Sequence, residues 1–167
     1  MARKKASVDH PHVHQINVSN GGVPKLPVSE ALVTAKGLEG DRQRNLVVHG
    51  GPDRAVCLFS WERIQALQRE GHSIAPGAGG ENLTLAGLDW GELKPGDQIR
   101  LAERVLLELT GYTEPCKHNA QWFKEGNFNR MNQKRHPGWS RLYARVLAEG
   151  TVQTGDAVVV ERIMGDG

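Results

Sequence analysis

Short apolar runs broken by turn residues dominate this sequence and restrict it to a mainly β fold. Val13 to Val18, Ala31 to Ala35, Leu46 to Val48, Ala55 to Phe59, Leu83 to Leu85, Ile99 to Leu101, Val105 to Leu109, Leu142 to Leu147 and Ala157 to Ile163 are each apolar or alternating. Gly, Pro, Asn and Asp separate them, and runs of this length with such boundaries read as strands. That density of short strands predicts a barrel or a sandwich. A helix is expected after Ser60, a capping residue, with Trp61, Ile64 and Leu67 on one face and Gly71 just beyond its last turn. It would cover one opening of the sheet. A second helical patch is read over Asn119 to Phe123 and again over Asn127 to Asn132. Lys94-Pro95-Gly96-Asp97 and Thr154-Gly155-Asp156 each precede an apolar run, the turn chemistry of a strand re-entering a sheet, and suggest neighbouring barrel corners.

The chain has 167 residues, the length of one domain. Residues 1–11 are basic and polar without periodicity and read as a flexible arm, leaving 12–167 as a single domain. No stretch approaches the roughly 20 apolar residues of a membrane helix, and Met1-Ala2-Arg3-Lys4-Lys5 is not followed by a signal-peptide core. The expectation is therefore a cytoplasmic protein with no membrane partner. A formal charge of +2 is too small for a surface that tracks phosphates, which argues against nucleic acid. With two cysteines, Cys57 and Cys116, and no secretion signal, each is read as a thiol.

Cys116 lies in Thr113-Glu114-Pro115-Cys116-Lys117-His118, between an apolar strand and a polar helical segment. Pro115 supplies no amide proton and stiffens the approach. Lys117, His118 and a following helix start add positive charge that favours thiolate, which is a nucleophile, a sulfur acceptor and a soft metal ligand. Cys116 as a small residue plugging a turn is the competing reading. Cys57, inside Ala55-Val56-Cys57-Leu58-Phe59, reads as buried and inert.

Three glycine-rich loops stand out. His49-Gly50-Gly51-Pro52-Asp53-Arg54 is either an anion nest flanked by His49 and Arg54 or a plain turn. Pro76-Gly77-Ala78-Gly79-Gly80-Glu81-Asn82 lacks the Lys-Ser or Lys-Thr of a phosphate-binding Walker loop and the glycine spacing of a dinucleotide fingerprint. In Gly37-Leu38-Glu39-Gly40-Asp41-Arg42, Asp41 and Arg42 either meet a polar ligand or pair with each other. Arg145, flanked by apolar residues, either faces water or reaches into a pocket. His10, His12 and His14 alternate, which on a strand puts them on one face where a divalent metal can bind; their place in the arm favours adventitious binding or none.

Taken in order, Gly37-Leu38-Glu39-Gly40-Asp41, His49-Gly50-Gly51-Pro52-Asp53-Arg54-Ala55-Val56, Pro76-Gly77-Ala78-Gly79-Gly80-Glu81-Asn82-Leu83, Pro115-Cys116 and Ala144-Arg145-Val146 resemble the MOSC family. The family is named for the C-terminal domain of molybdenum cofactor sulfurases. The resemblance runs from Val13 to Ile163 and looks most like the small stand-alone bacterial members. It implies a closed β-barrel of the type of the small barrel domain of pyruvate kinase, with a few short helices. It also implies the molybdenum cofactor (molybdopterin), a pterin with a dithiolene and a phosphate, and a family-level association with pyridoxal phosphate. A cysteine matching Cys116 would ligate molybdenum or carry sulfur. Arg54, Asn82 and Arg145 would hold the pterin and its phosphate, with Asp41, Arg42, His49, Gly50, Gly51 and Glu81 contributed by the glycine-rich loops. Many relatives carry Thr-x-Pro-Arg or a similar run before the cysteine. Here Thr110-Gly111-Tyr112-Thr113-Glu114 lacks the arginine, which leaves Lys117 or Arg145 to replace it.

Three functions follow. One is a molybdenum enzyme that reduces an N-hydroxylated small molecule at Cys116, with electrons from a donor protein because nothing in the chain reads as a flavin, haem or iron–sulfur site. The second is a sulfur carrier in which Cys116 takes a persulfide sulfur from a cysteine desulfurase, without a permanent cofactor. The third is a non-catalytic binding barrel. A cysteine hydrolase with His49 or His118 as base lacks a nameable orienting residue. Pairing of barrels into a homodimer is compatible with the sequence.

Overall fold

The computed structural model describes residues 10–42 and 51–162. The run Leu46 to Val48 and most of the N-terminal arm lie outside the described residues. Among the described residues eleven strands are formed: β1 (His12–Val18), β2 (Leu26–Val28), β3 (Glu30–Thr34), β4 (Gly37–Leu38), β5 (Val56–Ser60), β6 (Leu83–Ala86), β7 (Gln98–Leu101), β8 (Val105–Tyr112), β9 (Leu142–Ala148), β10 (Gly150–Gln153) and β11 (Val158–Glu161). Eight of them make one sheet in the order β11-β7-β8-β9-β5-β6-β1-β2, and β10-β3-β4 make a second.

The alternation read in the sequence sets which side chains turn inward. Along β8, Val105, Leu107 and Leu109 are buried while Leu106, Glu108 and Thr110 are partly exposed, the period of two expected of a half-buried strand. β5 is buried at every position, as befits a strand at the middle of the sheet paired in parallel with β6. The single α-helix among the described residues, α1 (Trp61–Arg69), makes that parallel connection. Ser60 caps it by accepting the Arg63 amide at 3.1 Å, Ile64 and Leu67 are buried, and Gly71 takes φ +101° just past its end. α1 packs on β5 and β6. The second helical patch is three short 3-10 turns, Lys117–Trp122, Lys124–Gly126 and Phe128–Met131. Among the described residues no helix is long and apolar enough to cross a membrane.

The expected closed β-barrel does not form. The large sheet stays open, with β11 and β2 at its two ends. β2 occupies the outer edge of β1 along Ile16–Val18, and β1 meets the chain ahead of β11 through an isolated bridge between His12 and Ala157 and a few backbone bonds, such as Val13 N–H to Asp156 O at 2.9 Å, without forming a ladder with β11. The segment that would fill this seam is diverted: β10 leaves to pair with β3, and a turn at Gly155, φ +92°, returns the chain as β11 beside β7 alone. The two Gly-Asp turns do share one chemistry. Asp97 Oδ2 accepts the Lys94 amide at 3.1 Å and Asp156 Oδ2 accepts the Gln153 amide at 2.7 Å. Because β7 and β11 are antiparallel, with Gln98 opposite Glu161, these turns lie at opposite ends of the strand pair and not at neighbouring corners.

Candidate functional site

Strand register gathers the polar residues. Tyr112 pairs with Leu142 across β8 and β9, Leu142 with Leu58 on β5, and Leu58 with Leu83 on β6. The end of β8, the starts of β9 and β6 and the middle of β5 therefore lie at one level. The loops leaving that level carry Thr113 to Cys116, Arg141 and Pro76 to Asn82.

Asn82 is the knot of this region. Its backbone N–H donates to Cys57 O at 2.8 Å and its Oδ1 accepts the Cys57 amide at 3.0 Å. Its Nδ2 donates to Asp41 Oδ2 at 2.9 Å. The other oxygen of Asp41 receives the Lys25 ammonium at 2.6 Å and the Ser19 amide at 2.9 Å. Both side chains of this ion pair are buried, so Asp41 pairs with Lys25 and not with Arg42. Arg42 is exposed, its backbone N–H bound to Ser19 O.

Glu81 sits beneath the glycine loop with no exposed surface. Its Oε2 accepts the Gly77 amide at 3.0 Å and the Thr84 hydroxyl at 2.9 Å, while Oε1 is buried without a partner. Burial pushes its carboxyl pKa up, because an ionised carboxylate loses its hydration there. Gly77 is required at its position: φ is +84° and an added Cβ would lie 2.3 Å from Lys25 O.

Cys116 is partly exposed, and both cysteines are free thiols. Its amide donates to Asn119 Oδ1 at 3.1 Å, and its backbone carbonyl accepts the Asn119 amide at 2.9 Å, which seats the residue at the head of the first 3-10 turn. Asn119 Nδ2 in turn reaches Gly79 O at 3.3 Å. Gly79 O is also held by Arg141 Nη1. Arg141 thus joins the glycine loop to the cysteine loop, and its Nη2 lies 3.3 Å from Glu114 O and 3.5 Å from Asn119 Oδ1. Cys57, deeper in the same cluster, lies with its sulfur 3.8 Å from Thr113 Oγ1, and burial raises its thiol pKa despite the nearby Arg141 charge. Tyr143, opposite Cys57 on β9, has its phenol pushed up to about 12, first by burial.

Of the remaining sequence candidates Arg54 borders this cluster, and the others lie apart from it or outside the described residues. His49 and Gly50 are among the latter. Gly51 is exposed with φ +94° and starts the 3-10 turn Pro52–Arg54. The Arg54 guanidinium stands 5.4 Å over the Tyr143 ring. Arg145 points outward from β9, 46 % exposed at its side chain, between Glu108 at 3.3 Å and Asp53 at 3.5 Å. The three alternating histidines do not converge: His12 Nδ1 is 2.8 Å from His10 O, and His14 stacks on Trp61 with centroids 4.2 Å apart. Among the described residues no group of three His, Cys, Asp or Glu is placed to hold a metal.

The model of the MOSC domain matches residues 45–159. The chain belongs to the MOSC domain family. It is 35 % identical over 136 residues to the uncharacterized protein YflK of Bacillus subtilis, covering 80 % of this chain and 60 % of YflK. It is 36 % identical over 137 residues to the protein YiiM of Escherichia coli, covering 78 % and 59 %. A reductase of Gibberella moniliformis shares 28 % identity over 132 residues, 75 % of this chain but 22 % of that protein. The crystal structure of YiiM from Geobacillus stearothermophilus superposes with a TM-score of 0.70 at 25 % identity, over 90 % of this chain and 74 % of that one. This MOSC chain therefore spans about six tenths of its two bacterial relatives.

Within this MOSC chain the residues that sequence reasoning passed over are Lys25, Thr113, Asn119 and Arg141. Arg141 carried a readable signal, a charged residue at the entry of the apolar run that starts at Leu142, the same pattern that singled out Arg145. Asn119 carried a fainter one, three residues after Cys116, where a side chain can cap back. Nothing local marks Lys25, which meets Asp41 only through the fold.

Proposed function

We propose that this MOSC protein binds the molybdenum cofactor, with Cys116 as the protein ligand to molybdenum, and reduces N-hydroxylated compounds. The observation that carries the reading is the seat of Cys116. The residue that bears this partly exposed thiol is fixed through its backbone amide and carbonyl by Asn119, beside a buried polar cluster. The relative that is named a reductase supports the reaction class.

The donor set fits the group. A thiolate is the soft ligand that molybdenum takes. Arg141 adds a buried cation with an unpaired Nε, and it lies against the loop from Gly77 to Gly80, which is buried through Gly79 and tightly packed at Gly80, where a Cβ would lie 3.2 Å from Val23. When bound, the cofactor supplies the two-electron exchange and accepts the oxygen atom. In the net change, R–NHOH takes two electrons and two protons to give R–NH2 and water. Asn119 holds Cys116 in place, and Asn82 and Asp41 keep the glycine loop against β5. An electron-donor protein completes the cycle.

The test is metal and pterin analysis of the protein purified from a host that makes the cofactor, with Cys116→Ser as control. Stoichiometric molybdenum that is lost in Cys116→Ser, together with reduction of an N-hydroxylated base when a donor is added, is the expected result. A persulfide sulfur on Cys116 with no metal would replace the reading with sulfur carriage. Neither metal nor persulfide would leave a binding module.

A further inference from the structure

A guanidinium carries its charge everywhere in the accessible pH range, so burying one demands acceptors on all sides. Arg141 is 6 % exposed. Among the described residues no carboxylate oxygen lies within the 4.0 Å of an ion pair, and its partners are two carbonyls and one side-chain amide. Glu81 faces Gly79 from beyond that distance: a Cβ at Gly79 would meet Glu81 Oε1 at 3.5 Å and Arg141 Cδ at 3.6 Å. Burial raises the Glu81 carboxyl pKa while the Arg141 charge works against that rise, and the two side chains make no direct ion pair.

The deficit is directional. Nη1 is committed to Gly79 O. Nε has no partner, and Nη2 makes only contacts of 3.3 and 3.5 Å, at or beyond the long limit of an N–H···O bond. Nε and Nη2 form the side-on edge of the guanidinium, the one that grips two oxygens of a carboxylate or phosphate at once. That edge looks onto Glu114 O and onto Asn119, which fixes Cys116.

We infer that Arg141 is an anion-binding residue whose Nε and Nη2 take two oxygens of a phosphate-class anion beside Cys116. The incoming oxygens replace the long contacts to Glu114 O and Asn119 Oδ1. Arg141 thereby supplies the cation missing from Thr110 to Glu114. Arg145 is turned away to Glu108 and Asp53. The inference rests on the cofactor reading only for the source of the phosphate, which is either the monoester of the pterin or a free phosphate.

Cofactor-free protein is titrated with inorganic phosphate at ionic strength held constant by chloride. Two signals are followed: the Nε–H resonances of arginine, with the Arg141 peak assigned by its loss in R141K, and the rate of Cys116 alkylation by iodoacetamide. The expected result is a saturable shift of the Arg141 resonance and slower alkylation over the same phosphate range. In R141K the midpoint for protection should rise about tenfold, the worth of one charge-assisted bond. An Arg141 resonance that ignores phosphate, or equal protection in R141K, overturns the inference. If R141K does not fold, the wild-type titration decides alone, the Arg141 peak then being assigned by through-bond connection to its own backbone. In cofactor-loaded protein, an Arg141 resonance already shifted and silent to phosphate identifies the cofactor monoester as the source. One that still responds identifies free phosphate. A chain that takes up no cofactor leaves the cofactor-free titration standing, so failure of the proposed function and failure of this anion seat are separable.

Discussion

Asn82 Nδ2 donates to Asp41 Oδ2 at 2.9 Å, which ties the loop leaving the small sheet to the strand pair that carries Cys57. Asn82→Ala removes this bond and strands the Cys57 amide, which Asn82 Oδ1 otherwise accepts. Urea denaturation should show a loss of about 2–3 kcal/mol, the scale for leaving buried polar groups unpaired. A loss indistinguishable from zero would mean that the loop does not depend on this bond.

Lys25 and Asp41 form a buried pair at 2.6 Å. Lys25→Met leaves the carboxylate desolvated with only amide donors, and should cost about 3–5 kcal/mol. Adding Asp41→Leu to Lys25→Met should recover part of that loss, because the uncompensated charge goes with it. The same urea midpoints in all three variants provide the check.

Glu81 makes stability fall as pH rises. Its pKa is raised in the folded chain above the 4.5 of an ordinary glutamate, so the folded state holds the proton after the unfolded state has released it. Its contribution is full below about pH 4.5 and declines from there until the folded group ionises. Glu81→Gln abolishes that decline while keeping an acceptor for the Gly77 amide. The stability difference, variant minus wild type, should therefore grow in favour of Gln between pH 4.5 and neutrality, measured by urea unfolding across that range.

Tyr143 should stay protonated well into alkali. Burial raises its phenol to about 12, so the ultraviolet difference between wild type and Tyr143→Phe should show no phenolate absorbance at pH 10.5 and should develop near pH 12. Phenolate from Tyr143 at the lower pH would show that the side chain is solvated.

Local patterning made much of the fold legible. β1, β5, β8 and β9 fall on the runs read as strands, and Ser60 caps α1 as expected, because alternation and capping act within a few residues. β2 and β10 were not legible. Leu26–Val28 contains a proline and lies at the sheet edge, and Gly150–Gln153 pairs with β3 far back in the chain. Sheet closure was beyond reach for a similar reason: strand number alone does not decide whether β11 pairs with β1. At the site, Cys116 and Asn82 were marked by their own loops. Arg141 and Lys25 join the cluster only because Gly79, Asn119 and Asp41 are brought to them across the fold.

The seam between β1 and the approach to β11 also brings the first and last described strands together. Val158 donates its amide to Pro11 O at 3.0 Å, and His12 bridges Ala157. The first and last described strands thus start from one spot, and the last ends only a short strand away at Glu161. A unit built this way can be spliced into a larger polypeptide through a single doorway, or circularly permuted across that doorway, without unpairing any ladder.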